Sequence, residues 1–477
     1  MPGTTRRRTL RHAAVMLAVA AVPLGGLATA NAAPSHPAAA PAPAVIDATV
    51  PVDREVRGPR APTARGDLDQ LAAAASAGTS YYPRPPQRVL DTRRAIGAPT
   101  AKIPAGGSVV LHVATPLGLA PGAIDAVALN VTSTNGSAQS YISVCPASVA
   151  AATCRRSSNI NTYPGVNIPN LVVSKVDGLG RVRVYNNAGS TDVVADVQGY
   201  FDDSVTSGTA VGNTYQPFQF RAFDTRLDLP APIGPGESLV VDFFDPDPDF
   251  PEDTITSVLL NLTSTAATTT SYISACPAAS AEADPASCIR TSVINSYKGR
   301  TIPNLVIVPL DDQGQALFYN DEGSVHLVGD LQGIFYDDQL GAQYFPVDPS
   351  RVLDTRNGRG GVPVGKVGPR GSLRFVPDGT KVPATADAVM LNVTATGSTA
   401  PSAYVSVCPG YLVPDECRQS SNLNVTPDRT VANVAASEMD WFEPGIRGVE
   451  NEVLLYNNAG STHLLADVQG YFTFPVL

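Results

Sequence analysis

Short apolar runs, not helical stripes, organise this chain. Ala126-Val127-Ala128-Leu129-Asn130-Val131-Thr132 is β-branched and partly alternating, as is Val182-Arg183-Val184-Tyr185. Asn186-Asn187-Ala188-Gly189 then offers residues that tolerate positive φ, and Thr191 to Val197 reads as the returning strand. Similar runs recur at a spacing near ten residues, which predicts seven or eight short strands per ~130 residues. That pattern belongs to an antiparallel sandwich or barrel. Residues 33–80 are rich in Ala and Pro and show no apolar period. They are expected to form a disordered linker, because they cannot bury enough surface to offset their ordering entropy.

The runs repeat. Arg88-Val89-Leu90-Asp91-Thr92-Arg93 returns as Arg221-Ala222-Phe223-Asp224-Thr225-Arg226 and as Arg351-Val352-Leu353-Asp354-Thr355-Arg356. Leu129-Asn130-Val131-Thr132 returns at Leu260 and Leu391, and Asp196-Val197-Gln198-Gly199 returns at Asp330 and Asp467. Three homologous domains follow, at 81–203, 213–337 and 343–477. A period of ~130 is far above the 20–50 residues of solenoids and blades, so each copy is expected to own a core. The expected fold is all-β: three tandem antiparallel β-sandwiches, jelly-roll or immunoglobulin-like, after a signal peptide and a linker.

Composition narrows the setting. Of 477 residues only 16% are charged, against roughly 25% in ordinary soluble domains. Gly (40) and Pro (42) suit turns rather than helices. Residues 1–32 read as an export signal: Arg6, Arg7, Arg8 and Arg11, an apolar run from Ala13 to Leu27, and Ala30-Asn31-Ala32 as the cleavage site. Thr5-Arg6-Arg7 with Leu10 leaves both the twin-arginine and the general route open. The apolar run is shorter than the ~20 residues a membrane span needs. The formal charge of −10 becomes −14 once the signal is gone, with 29 basic against 43 acidic residues. Nucleic acid and membrane insertion are therefore not expected. No lipoprotein Cys, C-terminal tail or sortase-type signal is read, so a free, secreted protein is expected.

Chemistry-bearing residues are few. The six Cys fall two per copy, which selects three local bridges from fifteen connectivities: Cys145–Cys154, Cys276–Cys288 and Cys408–Cys417. No His or further Cys stands near them at metal-ligand spacing. Between them lie loops of different content, with Tyr411 and Leu412 the apolar pair in the third. Arg88, Asp91, Arg93 and Asp196 recur as Arg221, Asp224, Arg226, Asp330 and as Arg351, Asp354, Arg356, Asp467. Their threefold occurrence favours an ion-pair lock between first and last strands over three equal active sites, since the Arg fork matches a carboxylate. No catalytic triad, nucleophile elbow or cofactor motif is found, so no enzyme and no cofactor are expected. Asp245, Asp247 and Asp249 with Glu252 and Asp253 form an acidic cluster weighed for calcium, but their Pro spacing reads as a solvated loop. Tyr185, Tyr319 and Tyr456, before each Asn turn, read first as core residues, and are kept as candidate ring platforms for a ligand as the alternative.

Taken together, R-V-L-D-T-R, L-N-V-T, S-N-L-N and Y-N-N-A-G-S-T-H-L-L-A-D-V-Q-G-Y-F resemble a repeat domain of exported actinobacterial proteins. The resemblance covers residues 81–477. It implies an accessory or cell-surface module and supplies no catalytic residue. The second copy departs most, with Ala222-Phe223 and Ile334. The expected function is non-enzymatic, multivalent binding of a neutral glycan or an extracellular protein. A structural spacer without a small ligand is the first alternative, and an accessory module of a secreted hydrolase activity is the second.

Overall fold

The computed structural model describes residues 43–48, 78–203, 212–243, 255–283, 288–337, 341–439 and 451–474. The expected signal peptide and the acidic cluster Asp245, Asp247 and Asp249 lie outside these residues. The chain is all-β, with 54% strand and 6% helix. An unexpected first strand, β1 (Ala44–Asp47), stands where a disordered linker was expected. Three blocks of eight strands follow.

In the first block the strands are β2 (Ser80–Asp91), β3 (Ser108–His112), β4 (Ala126–Thr134), β5 (Ser140–Pro146), β6 (Ile160–Thr162), β7 (Ile168–Lys175), β8 (Arg181–Asn186) and β9 (Asp192–Asp202). They form two four-stranded sheets, ordered β2-β9-β4-β7 and β3-β8-β5-β6. The second block runs from β10 (Thr214–Asp224) to β17 (His326–Tyr336), and the third from β18 (Gln343–Asp354) to β25 (His463–Thr473). Both repeat the same order, save that β1 adds a fifth strand beside β11 (Ser238–Asp242). All pairings inside the blocks are antiparallel; β1 on β11 is parallel.

Each block has a core between its two sheets. In the first block Val127, Leu129 and Val131 of β4 meet Leu111, Ile142, Val144, Val182 and Val184 of the facing sheet. The other face of β4 is buried as well. Its Ala126 and Ala128 join Leu171, Val173, Tyr81 and Phe201 in a fourth core, which also takes Tyr215, Leu259 and Phe335 from the second block and Tyr344, Met390 and Phe472 from the third. The expectation of three tandem sandwich domains, which left their mutual packing open, is thereby corrected to a single body. Six small sheets stand in a propeller-like ring, and their inner sheets share one central core. The physical cause lies in the strand pattern: β4 is buried at all nine positions, as sheets covered on both faces are.

The central core is aromatic. One Tyr from each first strand and one Phe from each last strand interleave, with ring centroids 4.5 Å apart for Tyr81–Phe335, 4.4 Å for Phe201–Tyr344 and 3.9 Å for Tyr215–Phe472. Gly199, Gly333 and Gly470 make room for it. A Cβ on any of them would stand 2.1–2.2 Å from an atom of Tyr81, Tyr215 or Tyr344.

Candidate functional site

The repeated motifs converge on the seams between blocks. Asn130, Asn261 and Asn392 are buried in the third strand of their blocks. The Asn130 Nδ2 donates to the Ser292 carbonyl at 2.6 Å, Asn261 to Ser421 at 2.8 Å, and Asn392 to Ser158 at 2.6 Å. Block one thus bonds to two, two to three, and three back to one. Asn304, Asn433 and Asn170 donate back to the same three side chains.

Gln198, Gln332 and Gln469 close the same cycle from the last strands. Each sits at a break in register: Ala128 pairs with Gly199 but Leu129 with Val197, so Gln198 is the extra residue of a β-bulge. The other two blocks break at Gln332 and Gln469. A bulge re-aims one side chain out of the ladder. Here the Gln198 Oε1 accepts from the Ile307 N–H at 3.2 Å, Gln332 from Ala436 at 2.9 Å, and Gln469 from Val173 at 3.2 Å. In the sequence these glutamines stand inside the repeated closing motif, where nothing local marks their role. The available signal was a polar residue recurring three times inside the most apolar strands.

Each Arg and Asp quartet is built on two short ion pairs joined by its first Arg. Arg88 forks onto Asp196 at 2.9 and 3.2 Å, joining β2 to β9. Arg221–Asp330 and Arg351–Asp467 do the same, each with a 2.8 Å Nε contact. Asp91, Asp224 and Asp354 do not reach the last strand; they brace the following turn through Arg93, Arg226 and Arg356. The first Arg links the two pairs in every block: Arg88 lies 3.8 Å from Asp91, Arg221 3.4 Å from Asp224 and Arg351 3.2 Å from Asp354. Burial raises the carboxyls of Asp196, Asp330 and Asp467, against the pull of their Arg partners. Arg356's hydrogen bonds hold Asp354 down at about 2.

The bridges are formed in all three copies, at Cys145–Cys154, Cys276–Cys288 and Cys408–Cys417. Their loops are not free tips. The Tyr141 hydroxyl pins one by donating to the Arg155 carbonyl at 2.8 Å, as Tyr404 does to Arg418 at 2.9 Å. Arg88 reaches the Arg290 carbonyl of the next block's loop, and Arg221 reaches that of Gln419. The ring platforms read from sequence need correction: Tyr185 and Tyr456 are buried against the bridges and offer no face to a ligand, and Tyr319 is half-buried. Tyr411 is exposed, with its hydroxyl on Glu438 at 3.0 Å.

Between blocks two and three these parts enclose a cleft of 260 Å³. Arg221, Asp330 and Gln219 line one wall, and Leu412, Glu416 and Gln419 the other. It holds an apolar floor, a paired cation and several amide and carboxylate groups. Such a lining offers contact surface and hydrogen-bond partners. Among the described residues no cluster of three His, Cys, Asp or Glu is placed to hold a metal, and no helix is long and apolar enough to cross a membrane.

No known family model matches the chain, and no curated sequence does. Among solved structures, a chain from "The Triple Jelly Roll Fold and Turret Assembly in an Archaeal Virus" is 8% identical with a TM-score of 0.16, covering 86% of this chain and 94% of that one. A chain from "Life in the extremes: atomic structure of Sulfolobus Turreted Icosahedral Virus" is 8% identical with a TM-score of 0.15, covering 87% and 95%.

Proposed function

We propose that this is an exported, non-enzymatic binding protein of the cell surface or its surroundings, built from three jelly rolls of the exported actinobacterial repeat type. Each block, numbered from its own first strand, has the order 1-8-3-6 and 2-7-4-5, which is that of two interlocked Greek keys and not of an immunoglobulin sandwich. Three bridges and a net acidic chain suit an oxidising, extracellular setting.

The ligand of this reading is a neutral glycan. The observation that carries it is the cleft between blocks two and three, where Leu412 gives a sugar ring an apolar contact and Gln219, Glu416 and Gln419 give its hydroxyls partners. Glycan-array screening of the full chain, followed by calorimetry, tests it. Leu412→Ala and Glu416→Gln should each weaken binding at least tenfold, measured at a temperature where both variants are shown to be folded. Equal binding by both variants would move the site elsewhere.

A structural spacer is the second reading. One observation favours it: the residues shared by all copies are spent on seams, bridges and cores. A chain that binds neither glycans nor extracellular proteins would select it.

A further inference from the structure

One end of the pseudo-threefold axis carries an inference beyond the cleft. β7, β15 (Ile302–Pro309) and β23 (Val431–Glu438), the edge strands of the three inner sheets, pack against one another around that axis. Each is entered from a turn at the same place in the repeat: residues 163–167, 297–301 and 426–430.

Two of these turns are stitched across seams by a tyrosine. The Tyr163 hydroxyl accepts from the Thr430 N–H at 2.6 Å, and the Tyr297 hydroxyl from the Asn167 N–H at 2.6 Å. The half-buried guanidinium of Arg429, next to Thr430, lies 4.6 Å over the Tyr163 ring. The third turn departs from the pattern, with Thr426 where the tyrosines stand. Among the described residues no hydrogen bond joins Thr426 to Thr301, its counterpart across the seam. The seam between blocks two and three thus lacks a ring that the other two hold.

Arg300 is left over by this change. It occupies the repeat position of Arg429, so the repeat aims it at a ring that Thr426 does not supply. It is exposed, 5.8 Å over the Tyr297 ring of its own turn. Among the described residues neither Arg300 nor Arg429 has a carboxylate partner. Burial raises the Tyr297 hydroxyl, while the Asn167 hydrogen bond and the charges of Arg300 and Arg429 lower it, so both cations stand in its neighbourhood. Lys298 adds a further exposed cation to these turns and Asp428 one anion. The acidic excess of the chain elsewhere does not oppose an anion here, because charges beyond about 8 Å are largely screened at physiological salt.

A guanidinium stacks on planar rings and forks onto carboxylates. We propose that this axial mouth is a second binding site, which takes a uronic acid residue of an acidic polysaccharide. The sugar ring fills the seat of the missing tyrosine and its carboxylate pairs with Arg300. The exposed side chains of Thr301 and Thr426 leave hydroxyl groups at the rim for those of the sugar. None of these residues lines the cleft at Leu412, so the two sites stand or fall separately.

Isothermal titration of the full chain with a galacturonate trimer tests this, with the neutral galactose trimer, benzoate and inorganic phosphate as comparisons. The galacturonate trimer is expected to bind roughly tenfold or more above each comparison. Arg300→Gln should weaken it by about tenfold or more, the worth of one charge-assisted hydrogen bond. Thr426→Tyr, which refills the seat, should do the same, both variants being measured where they are shown to be folded. Leu412→Ala should leave the affinity unchanged. Equal binding of phosphate or benzoate would overturn the sugar acid in favour of a bare anion or an aromatic acid. Absence of binding, equal binding of the neutral trimer, or wild-type affinity in Arg300→Gln or Thr426→Tyr would overturn the site. Loss of binding in Leu412→Ala alone would place the trimer in the cleft and overturn it as well.

Discussion

Phe472→Ala probes the claim that three blocks share one core. The ring is fully buried and lies 3.9 Å from Tyr215 of block two and 4.9 Å from Tyr344 of its own block, centroid to centroid. Phe→Ala substitutions in cores cost about 3–5 kcal/mol. The observable depends on how many residues unfold together. For ~400 cooperative residues the unfolding entropy is ~0.8 kcal/mol/K, so the melting temperature should fall by ~4–6 °C. If block three unfolded alone, with ~130 residues and ~0.27 kcal/mol/K, its own transition would fall by ~11–18 °C and the other blocks would stay. Scanning calorimetry separates the two, because the first outcome moves one peak and the second splits it. A split peak, with blocks one and two melting at the wild-type temperature, would refute the shared core as a coupling element.

Other substitutions test other parts. Gly470→Ala places a Cβ 2.2 Å from the Tyr344 hydroxyl, so it should destabilise the whole body as overpacking does, by about 1–3 kcal/mol or more in urea unfolding. Asp354 has a folded-state pKa of about 2, below its ordinary value, so its contribution is full above about pH 4 and is lost as pH falls toward 2. The gap in unfolding free energy between wild type and Asp354→Asn should therefore shrink by roughly 2 kcal/mol from pH 5 to pH 2, and a constant gap would refute the assignment. Replacing Cys408 and Cys417 by Ser should cost about 2.5–3 kcal/mol, the closure entropy of a loop of about ten residues, and should loosen the cleft wall at Leu412, seen as faster amide exchange there.

Strand content, three copies and their boundary motifs were open to a reader of the sequence, because side-chain alternation and turn residues act locally. The cysteine partners were legible for the same reason: nine to twelve residues separate them, and the copies repeat the spacing. The joining of the copies was not legible. Asn130, Gln198 and Tyr81 look like ordinary members of strands until a neighbouring block supplies the Ser292 carbonyl, the Ile307 N–H and the Phe335 ring. Those partners lie over a hundred residues away, where no local pattern reaches. Recurrence left Tyr185 and Tyr456 open between core and ligand platform, and burial against the bridges decided for the core. Composition likewise dismissed Ala44–Asp47, four residues in an Ala/Pro-rich stretch, because a strand so short acquires its stability from the edge it meets. Local chemistry determined the repeat; shape and contact between distant segments decided that three repeats make one body.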